Sequence, residues 1–191
     1  DQRPLVRLRQ RKEKKMNKSL KLGLKLFLIT SVTAFALALT NNATSPIIEA
    51  KAQEKLQESL SVVLPADSYE EVDLADKPAS LEKIYKATGA DGDGYVFQIL
   101  SPGGYGGDIE FLIGCDKDHK ITGFAPLNHS ESAGFGKQME EDFFKEGMIG
   151  VSMDGEVKAS ESGGENEIVG ISGATISTGT ILRGINDAAS V

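Results

Sequence analysis

The chain has 191 residues, of which 40% are hydrophobic and 26% charged, with 21 Gly and 6 Pro. That length fits one modest domain, and the composition excludes collagen-like, low-complexity and wholly disordered chains. The single cysteine, Cys115, excludes an intramolecular disulfide framework and a zinc site built from several cysteines.

Charge is distributed unevenly along the chain. Residues 1–25 hold ten Lys or Arg against two acids, whereas residues 26–191 hold 11 basic and 26 acidic residues. The basic segment is followed by LFLITSVTAFALAL, residues 26–39, which carry no charge. Continuing to Ser45 gives the roughly 20 residues that cross a bilayer. We therefore predict a basic cytoplasmic segment over 1–25 and a transmembrane helix over 26–45, with the acidic remainder on the far side of the membrane.

Two interpretations of the apolar segment remain open. An uncleaved signal-anchor is favoured, and a cleaved signal peptide, consistent with the small residues Ala36 and Ala38, is the alternative. Met16 opens the sequence MNKSLK, a natural start, so residues 1–15 are interpreted as an upstream extension.

Residues 46–80 are predicted to form a helix and an acidic linker. Residues 41–46 are a short polar exit from the membrane, where Ser45 is a typical N-cap and Pro46 a typical first helical residue. Apolar residues then recur every three to four positions until Pro65, at Ile48, Ala52, Leu56, Leu60 and Val63. Residues 66–80 are acidic and predicted to be irregular.

Residues 81–191 are predicted to form one α+β domain, with a mainly antiparallel sheet and flanking helices. Strands are predicted over 95–100, over 109–113 with alternate residues buried, and over 121–127 after a turn at 116–120. A short helix over 137–144, one or two strands within 147–158 and a loop at 163–166 follow. The last helix, 177–189, places four apolar side chains on one face: Ile181, Leu182, Ile185 and Ala189.

The sequence before the last helix is a candidate site for an anion. Gly173 and Ala174 allow a ligand to approach the backbone closely, and unpaired N–H groups at a helix start suit a phosphate. Thr175 and Ser177 add hydroxyls on the same side. An ordinary N-cap rich in Ser and Thr is the alternative interpretation of the same residues.

Three motifs carry a family resemblance. The sequence Ser172-Gly173-Ala174-Thr175, followed by Ile-Ser, resembles the flavin-attachment motif of the FMN-binding domain in the G subunit of the Rnf electron-transport complex. The C subunit of the sodium-pumping NADH:quinone reductase carries a similar motif. Residues 104–109, GYGGDI, resemble the glycine-rich sequence that leads a strand in this family, and residues 129–137, HSESAGFGK, are similar to its H-x-E-T-P-G-L-G pattern. The short chain favours the Rnf protein.

The resemblance implies where a flavin is held. Thr175 corresponds to the threonine that forms a phosphoester with FMN, and Val169 stands where family members commonly carry an Asp linked to recognition by the flavin transferase. Ser132 and Ala133 replace the usual Thr-Pro. The other implied cofactor-binding residues are Ser172, Gly173, Ala174, Ser177, His129, Glu131, Gly134, Gly136 and Tyr105.

The resemblance also implies the function. We expect an electron-carrier subunit of a membrane-bound ferredoxin:NAD oxidoreductase coupled to sodium or proton transport. Its partners are then other Rnf-type subunits and a flavin transferase, with no nucleic acid, no metal and no catalytic residue. The chain has neither a cysteine cluster nor a Rossmann fingerprint, so we do not expect it to bind ferredoxin or NAD itself. Two alternatives are a non-redox anchored protein that binds a phosphorylated ligand and a solitary extracellular flavoprotein.

Three other features are given structural interpretations. Residues 91–94, DGDG, are predicted to be a turn rather than a calcium loop, because the later bidentate acid is missing. Cys115 lies in an apolar strand and is expected to be a packing residue. His119 lies in a turn and is expected to be solvated.

Overall fold

The computed structural model describes the backbone of residues 3–89 and 93–191, and the side chains from residue 18 onward within those ranges. The chain divides into two compact units, Asp1–Ala52 and Gln53–Val191. Residues 91 and 92 of the turn predicted at 91–94 lie outside the described residues.

The first helix, α1, is long and apolar. It runs over Arg3–Val63, and from Lys18 onward its most apolar stretch of 18 residues has a mean hydropathy of 2.0 and no buried residue. Side chains such as Leu28 and Phe35 are more than half exposed. By length and composition this helix is able to cross a membrane.

The predicted break in this helix is wrong. Helix α1 continues through residues 41–46, so Ser45 is not an N-cap and Pro46 lies in the helix interior. The hydroxyl of Thr44 donates to the Thr40 carbonyl at 2.9 Å, so this polar side chain bonds within the helix and does not end it. The predicted end before Pro65 is confirmed, since α1 stops at Val63.

A five-stranded antiparallel sheet forms the centre of the second unit, in the order β1-β2-β3-β4-β5. Its strands are β1 Ser68–Val72, β2 Leu81–Thr88, β3 Gly94–Ser101, β4 Ile109–Asp116 and β5 Ile121–Asn128. Strand β1 corrects the prediction of an irregular acidic linker. Its five residues pair with β2 from Ser68↔Thr88 to Val72↔Ile84, and as an edge strand it keeps its acidic side chains in solvent.

Both faces of the sheet are covered, which corrects the prediction that β4 is half-buried. Phe111 and Ile113 belong to the larger core, whereas Leu112 packs on the opposite face with Leu60 and Val63 at the end of α1. The backbone of α1 comes so close that a Cβ on Gly123 would lie 2.8 Å from the Cα of Val63. Strand β4 is therefore apolar on both sides because helices pack on both sides.

The rest of the chain packs against the larger core. The predicted helix at 137–144 is a 3₁₀ helix, Gly136–Glu140, and a short helix α2, Asp142–Glu146. They are separated because Glu141 is extended, with φ −77° and ψ 149°. Residues 147–157 form no strand, apart from an isolated bridge between Lys120 and Ser152.

Two short strands and the final helix complete the second unit. Strands β6, Lys158–Ser160, and β7, Glu167–Val169, pair in parallel on either side of the predicted loop. Helix α3, Thr175–Ala189, begins two residues earlier than predicted. Its predicted apolar face is confirmed, with Ile181 and Ile185 fully buried against the sheet.

Candidate functional site

A cavity of about 510 Å³ opens beside the first turn of α3. This volume lies within the range of small-molecule sites, about 300–1,000 Å³. Seven of the ten predicted site residues contribute to its lining, and they come from all three motifs: Tyr105, Glu131, Gly136, Gly173, Ala174, Thr175 and Ser177. Four residues that the sequence analysis did not assign complete the lining: Ser132, Ala133, Phe135 and Ile176.

The start of α3 presents free backbone donors to this cavity. Ala174 is the N-cap residue and makes no side-chain capping hydrogen bond. The amide of Ala174 bonds to the Ile171 carbonyl at 3.0 Å. The amides of the next three residues are in the first helical turn, where the helix supplies no acceptor. Thr175 is exposed and lines the cavity, so its hydroxyl lies beside the positive end of the helix dipole.

Glu131 joins the three motifs through its carboxylate. It is buried at 7% exposure. Its Oε1 accepts from the Gly106 amide at 2.9 Å, and its Oε2 accepts from the Ser177 hydroxyl at 2.5 Å. Ser177 is itself 1% exposed and lies in the first turn of α3. A carboxylate at this position is stabilised by the two donors and by the helix N-terminus.

His129 does not line the cavity, and it contacts Glu131 through the Glu131 backbone amide. Its Nδ1 accepts from the Glu131 amide at 3.2 Å, which leaves the proton on Nε2 to donate to Glu140 Oε1 at 3.0 Å. The imidazole is 7% exposed. His129 therefore fixes the backbone of the loop that carries Glu131.

Glycines at two positions let the walls close around the cavity. A Cβ on Gly136 would lie 2.3 Å from Glu131 Oε2 and 2.5 Å from Ser177 Oγ. Gly173 has φ +74°, and a Cβ there would lie 3.2 Å from the ring of Phe135. Phe135 thus forms an apolar wall directly over the turn before α3. Its position between the motif glycines Gly134 and Gly136 is the signal in the sequence that indicates this role.

The structure does not bring the other two predicted residues to the cavity lining. Ser172 is exposed on the turn before α3. Gly134 has φ +78° and no atom near an added Cβ, so it shapes the loop between Glu131 and Phe135. Val169, at the end of β7, is 38% exposed.

Cys115 and His119 lie in and after β4. Burial raises the pKa of the Cys115 thiol to about 11, and the side chain belongs to the larger core, as predicted. His119 is solvent-exposed, with its Nδ1 2.6 Å from Asp154 Oδ1.

Comparison with known proteins identifies the second unit as an FMN-binding domain. The profile of the FMN-binding domain matches residues 104–190, and that of the RnfG N-terminal region matches residues 14–63. The G subunit of the Na⁺-translocating ferredoxin:NAD⁺ oxidoreductase complex of Acetobacterium woodii is 33% identical over 183 residues, covering 87% of both chains. The G subunit of the ion-translocating oxidoreductase complex of Cereibacter sphaeroides is 36% identical over 179 residues, covering 85% of this chain and 81% of the relative.

A solved structure also aligns with the chain. The C subunit of the Na⁺-translocating NADH-quinone reductase from Parabacteroides distasonis aligns with a TM-score of 0.48 and 20% sequence identity, covering 56% of this chain and 59% of that one. From the sequence relatives, the chain belongs to the family of G subunits of ion-translocating oxidoreductase complexes.

Membership of this family fixes the coarse function. The chain is a component of a redox complex, and its domain binds FMN, which supports an electron-carrier role. The long apolar helix and the names of the relatives indicate a membrane-anchored protein. The chemistry of the cavity lining suits this cofactor, because the first turn of α3 offers backbone amides for a phosphate and Tyr105 and Phe135 offer aromatic surface for a ring system.

Proposed function

We propose that this chain relays electrons through FMN held by a phosphoester to Thr175, within a complex that passes electrons between ferredoxin and NAD and couples this to sodium or proton transport. The position of Thr175 carries the proposal: it is the first residue of α3, exposed, and part of the cavity lining. The name of the Acetobacterium woodii relative supports the ferredoxin:NAD assignment.

The first turn of α3 would hold the phosphate end. Its free amides point along the helix axis toward the ligand, and the helix dipole favours the remaining negative charge by roughly 0.3–1 kcal/mol at an exposed site. The side chain of Thr175 then fixes the phosphate at this position covalently. The tether keeps the cofactor on the chain on a side of the membrane where no flavin pool replaces it.

Formation of the ester would need a separate enzyme. A threonine hydroxyl is a weak nucleophile unless a base activates it, and no lining residue other than Glu131 carries a carboxylate or an imidazole. Glu131 is already engaged with Ser177 and Gly106. The donor would be a flavin dinucleotide: Thr175 Oγ1 would bond to its flavin-side phosphorus, the phosphoanhydride bond would break to release a nucleoside monophosphate, and the hydroxyl proton would pass to a base of the transferase.

FMN supplies one- and two-electron redox chemistry when it is bound. The residues of this chain would enclose its ring system: Phe135 provides an apolar wall over Gly173, and Tyr105 contributes a second aromatic ring to the lining. Glu131 keeps both loops fixed to α3 through its two hydrogen bonds. These residues would orient the cofactor and exclude water from part of its surface.

The basic segment supports a cytoplasmic N-terminus, and the acidic domain would then lie on the outer face. A cysteine placed at the exposed Ser190, in a chain that also carries Cys115→Ala, reports this orientation. We expect a membrane-impermeant thiol reagent to label it in intact cells. Labelling only after the cells are broken would contradict the orientation.

Intact-mass analysis of the full chain, purified from native-host membranes, tests the attachment. We expect a mass increase equal to FMN less one water, lost in Thr175→Val and kept in Ser172→Ala, which removes a neighbouring exposed hydroxyl. An unmodified chain from flavin-sufficient cells would contradict the covalent model. Flavin released on denaturation would leave binding intact and refute the ester.

A further inference from the structure

The glycine loop, residues 102–107 (PGGYGG), carries Tyr105 to the cavity. Four of its six residues are glycine, and Gly103 and Gly107 have φ values of +85° and +130°. A segment of this composition has a large conformational freedom when nothing restrains it. Tyr105 is 70% exposed, so packing of its own ring does not hold it in place.

Side chains of α3 restrain this loop at its first end. Thr180, which is fully buried, donates from Oγ1 to the Gly103 carbonyl at 3.0 Å. Arg183 donates from Nη2 to the Pro102 carbonyl at 2.9 Å and to Thr180 Oγ1 at 2.8 Å. The hydroxyl of Ser101 in turn donates to the Thr180 carbonyl at 2.7 Å.

The same face of α3 restrains the other end of the loop. Ser177, Thr180 and Arg183 follow one another at intervals of three residues, which aligns them along one side of a helix. Ser177 reaches the loop through Glu131, whose Oε1 accepts from the Gly106 amide. Tyr105 lies between the two restrained ends, and its side chain lines the cavity.

We propose that Thr180 and Arg183 are positioning residues that hold the glycine loop so that the ring of Tyr105 stacks on the ring system of the bound FMN. This inference rests on the proposed function, since it needs a flavin seated beside Thr175. Neither residue lines the cavity, so both act through the loop. A tyrosine ring fits this role because an aromatic face stacks on a flat π-system.

The fluorescence lifetime of the bound flavin distinguishes positioning of Tyr105 from a purely structural role, because loss of a structural role alone would not change it. An electron-rich phenol stacked on a flavin quenches its emission, so the fluorescence lifetime reports the position of Tyr105. The measurement uses the flavin-loaded full chain in detergent. We expect a short lifetime in the wild type and a long one in Tyr105→Leu.

The two positioning residues are then changed singly. We expect Thr180→Val and Arg183→Met to lengthen the lifetime toward that of Tyr105→Leu, and Thr180→Ser, which restores the hydroxyl, to return it toward the wild-type value. Arg183 lies on the surface, so Arg183→Met keeps the buried core unchanged. Ser80→Ala is the matched control, because the Ser80 hydroxyl donates to Asp187 of α3 rather than to a residue of the glycine loop.

The outcomes separate this inference from the proposed function. A wild-type chain without flavin contradicts the proposed function. A flavin-loaded chain whose lifetime is unchanged by Tyr105→Leu overturns the stacking, and the attachment at Thr175 stands. A lifetime that lengthens in Tyr105→Leu but not in Thr180→Val or Arg183→Met overturns the positioning role. A lifetime that lengthens as much in Ser80→Ala as in Thr180→Val and Arg183→Met also overturns it.

Discussion

Replacing Glu131 by alanine tests the Glu131 junction, the pair of hydrogen bonds by which this carboxylate joins Gly106 and Ser177. The substitution removes the acceptors of the Ser177 hydroxyl and the Gly106 amide. Ser177 is 1% exposed, and a buried donor left without its acceptor costs about 1–3 kcal/mol. Gly106 is exposed and regains a partner from water. Removing a buried carboxylate also relieves its desolvation. We therefore expect a net loss of about 1–2 kcal/mol in the free energy of unfolding.

Urea unfolding of the full chain in detergent, followed by far-UV circular dichroism, measures this loss. The control is Glu71→Ala, which removes the exposed carboxylate that pairs with the exposed Lys83, and its expected cost is below about 1 kcal/mol. The denaturant slope should stay the same, so that a shifted midpoint reports stability. If Glu131→Ala lowers the free energy of unfolding by no more than the control does, the Glu131 junction does not stabilise the domain as proposed.

Three further predictions follow from other parts of the domain. Gly173→Ala places a Cβ on a residue with φ +74° next to Phe135, and we expect it to destabilise the domain by about 1–2 kcal/mol and to lower its flavin content. Its control is Gly179→Ala, which lies inside α3 where an added Cβ meets open space. We expect this control to stabilise the domain by about 0.5–1 kcal/mol in the same urea assay. Burial raises the pKa of the Cys115 thiol from 9.0 to about 11, so the thiol keeps its proton to higher pH in the folded protein than in the unfolded one. Its contribution to the free energy of unfolding is therefore fully present below about pH 9 and is lost between about pH 9 and 11. The unfolding free energy of the wild type should fall more steeply over that range than that of Cys115→Ala, and parallel curves would refute this. Val169→Asp, which restores the acid common in the family, should raise the flavinylated fraction seen by intact mass, and an unchanged or lower fraction would show that the acid is not needed here.

Several elements of the fold follow directly from residue patterns. The hairpin of β4 and β5 was predicted because a polar turn separates two apolar strands, and the buried face of α3 was predicted from the spacing of Ile181 and Ile185. Strand β1 was missed because its pairing with β2 is a non-local contact, and its acidic residues resemble a solvated linker. Leu112 was assigned to an alternating strand because the sequence does not show that the end of α1 covers the second face.

The candidate site was predicted through its motifs. Thr175, Glu131 and Tyr105 are far apart in the sequence, and the structure places all three around one cavity. The residues that support them were harder to find. Phe135 lies within the predicted motif at residues 129–137, but its role as an apolar wall was not predicted. Thr180 and Arg183 act on the glycine loop through hydrogen bonds that form only when α3 packs against the sheet.

Peptide mapping of the native protein tests the attachment site most directly. Trypsin cuts after Lys158 and Arg183 and releases residues 159–183 as one peptide, which contains Thr175 together with the neighbouring hydroxyls of Ser172, Ser177, Thr178 and Thr180. We predict that tandem mass spectrometry places a flavin phosphate on this peptide and on Thr175 alone. A flavin on another of these hydroxyls, on a different peptide, or on none would contradict the electron carrier proposed for this chain.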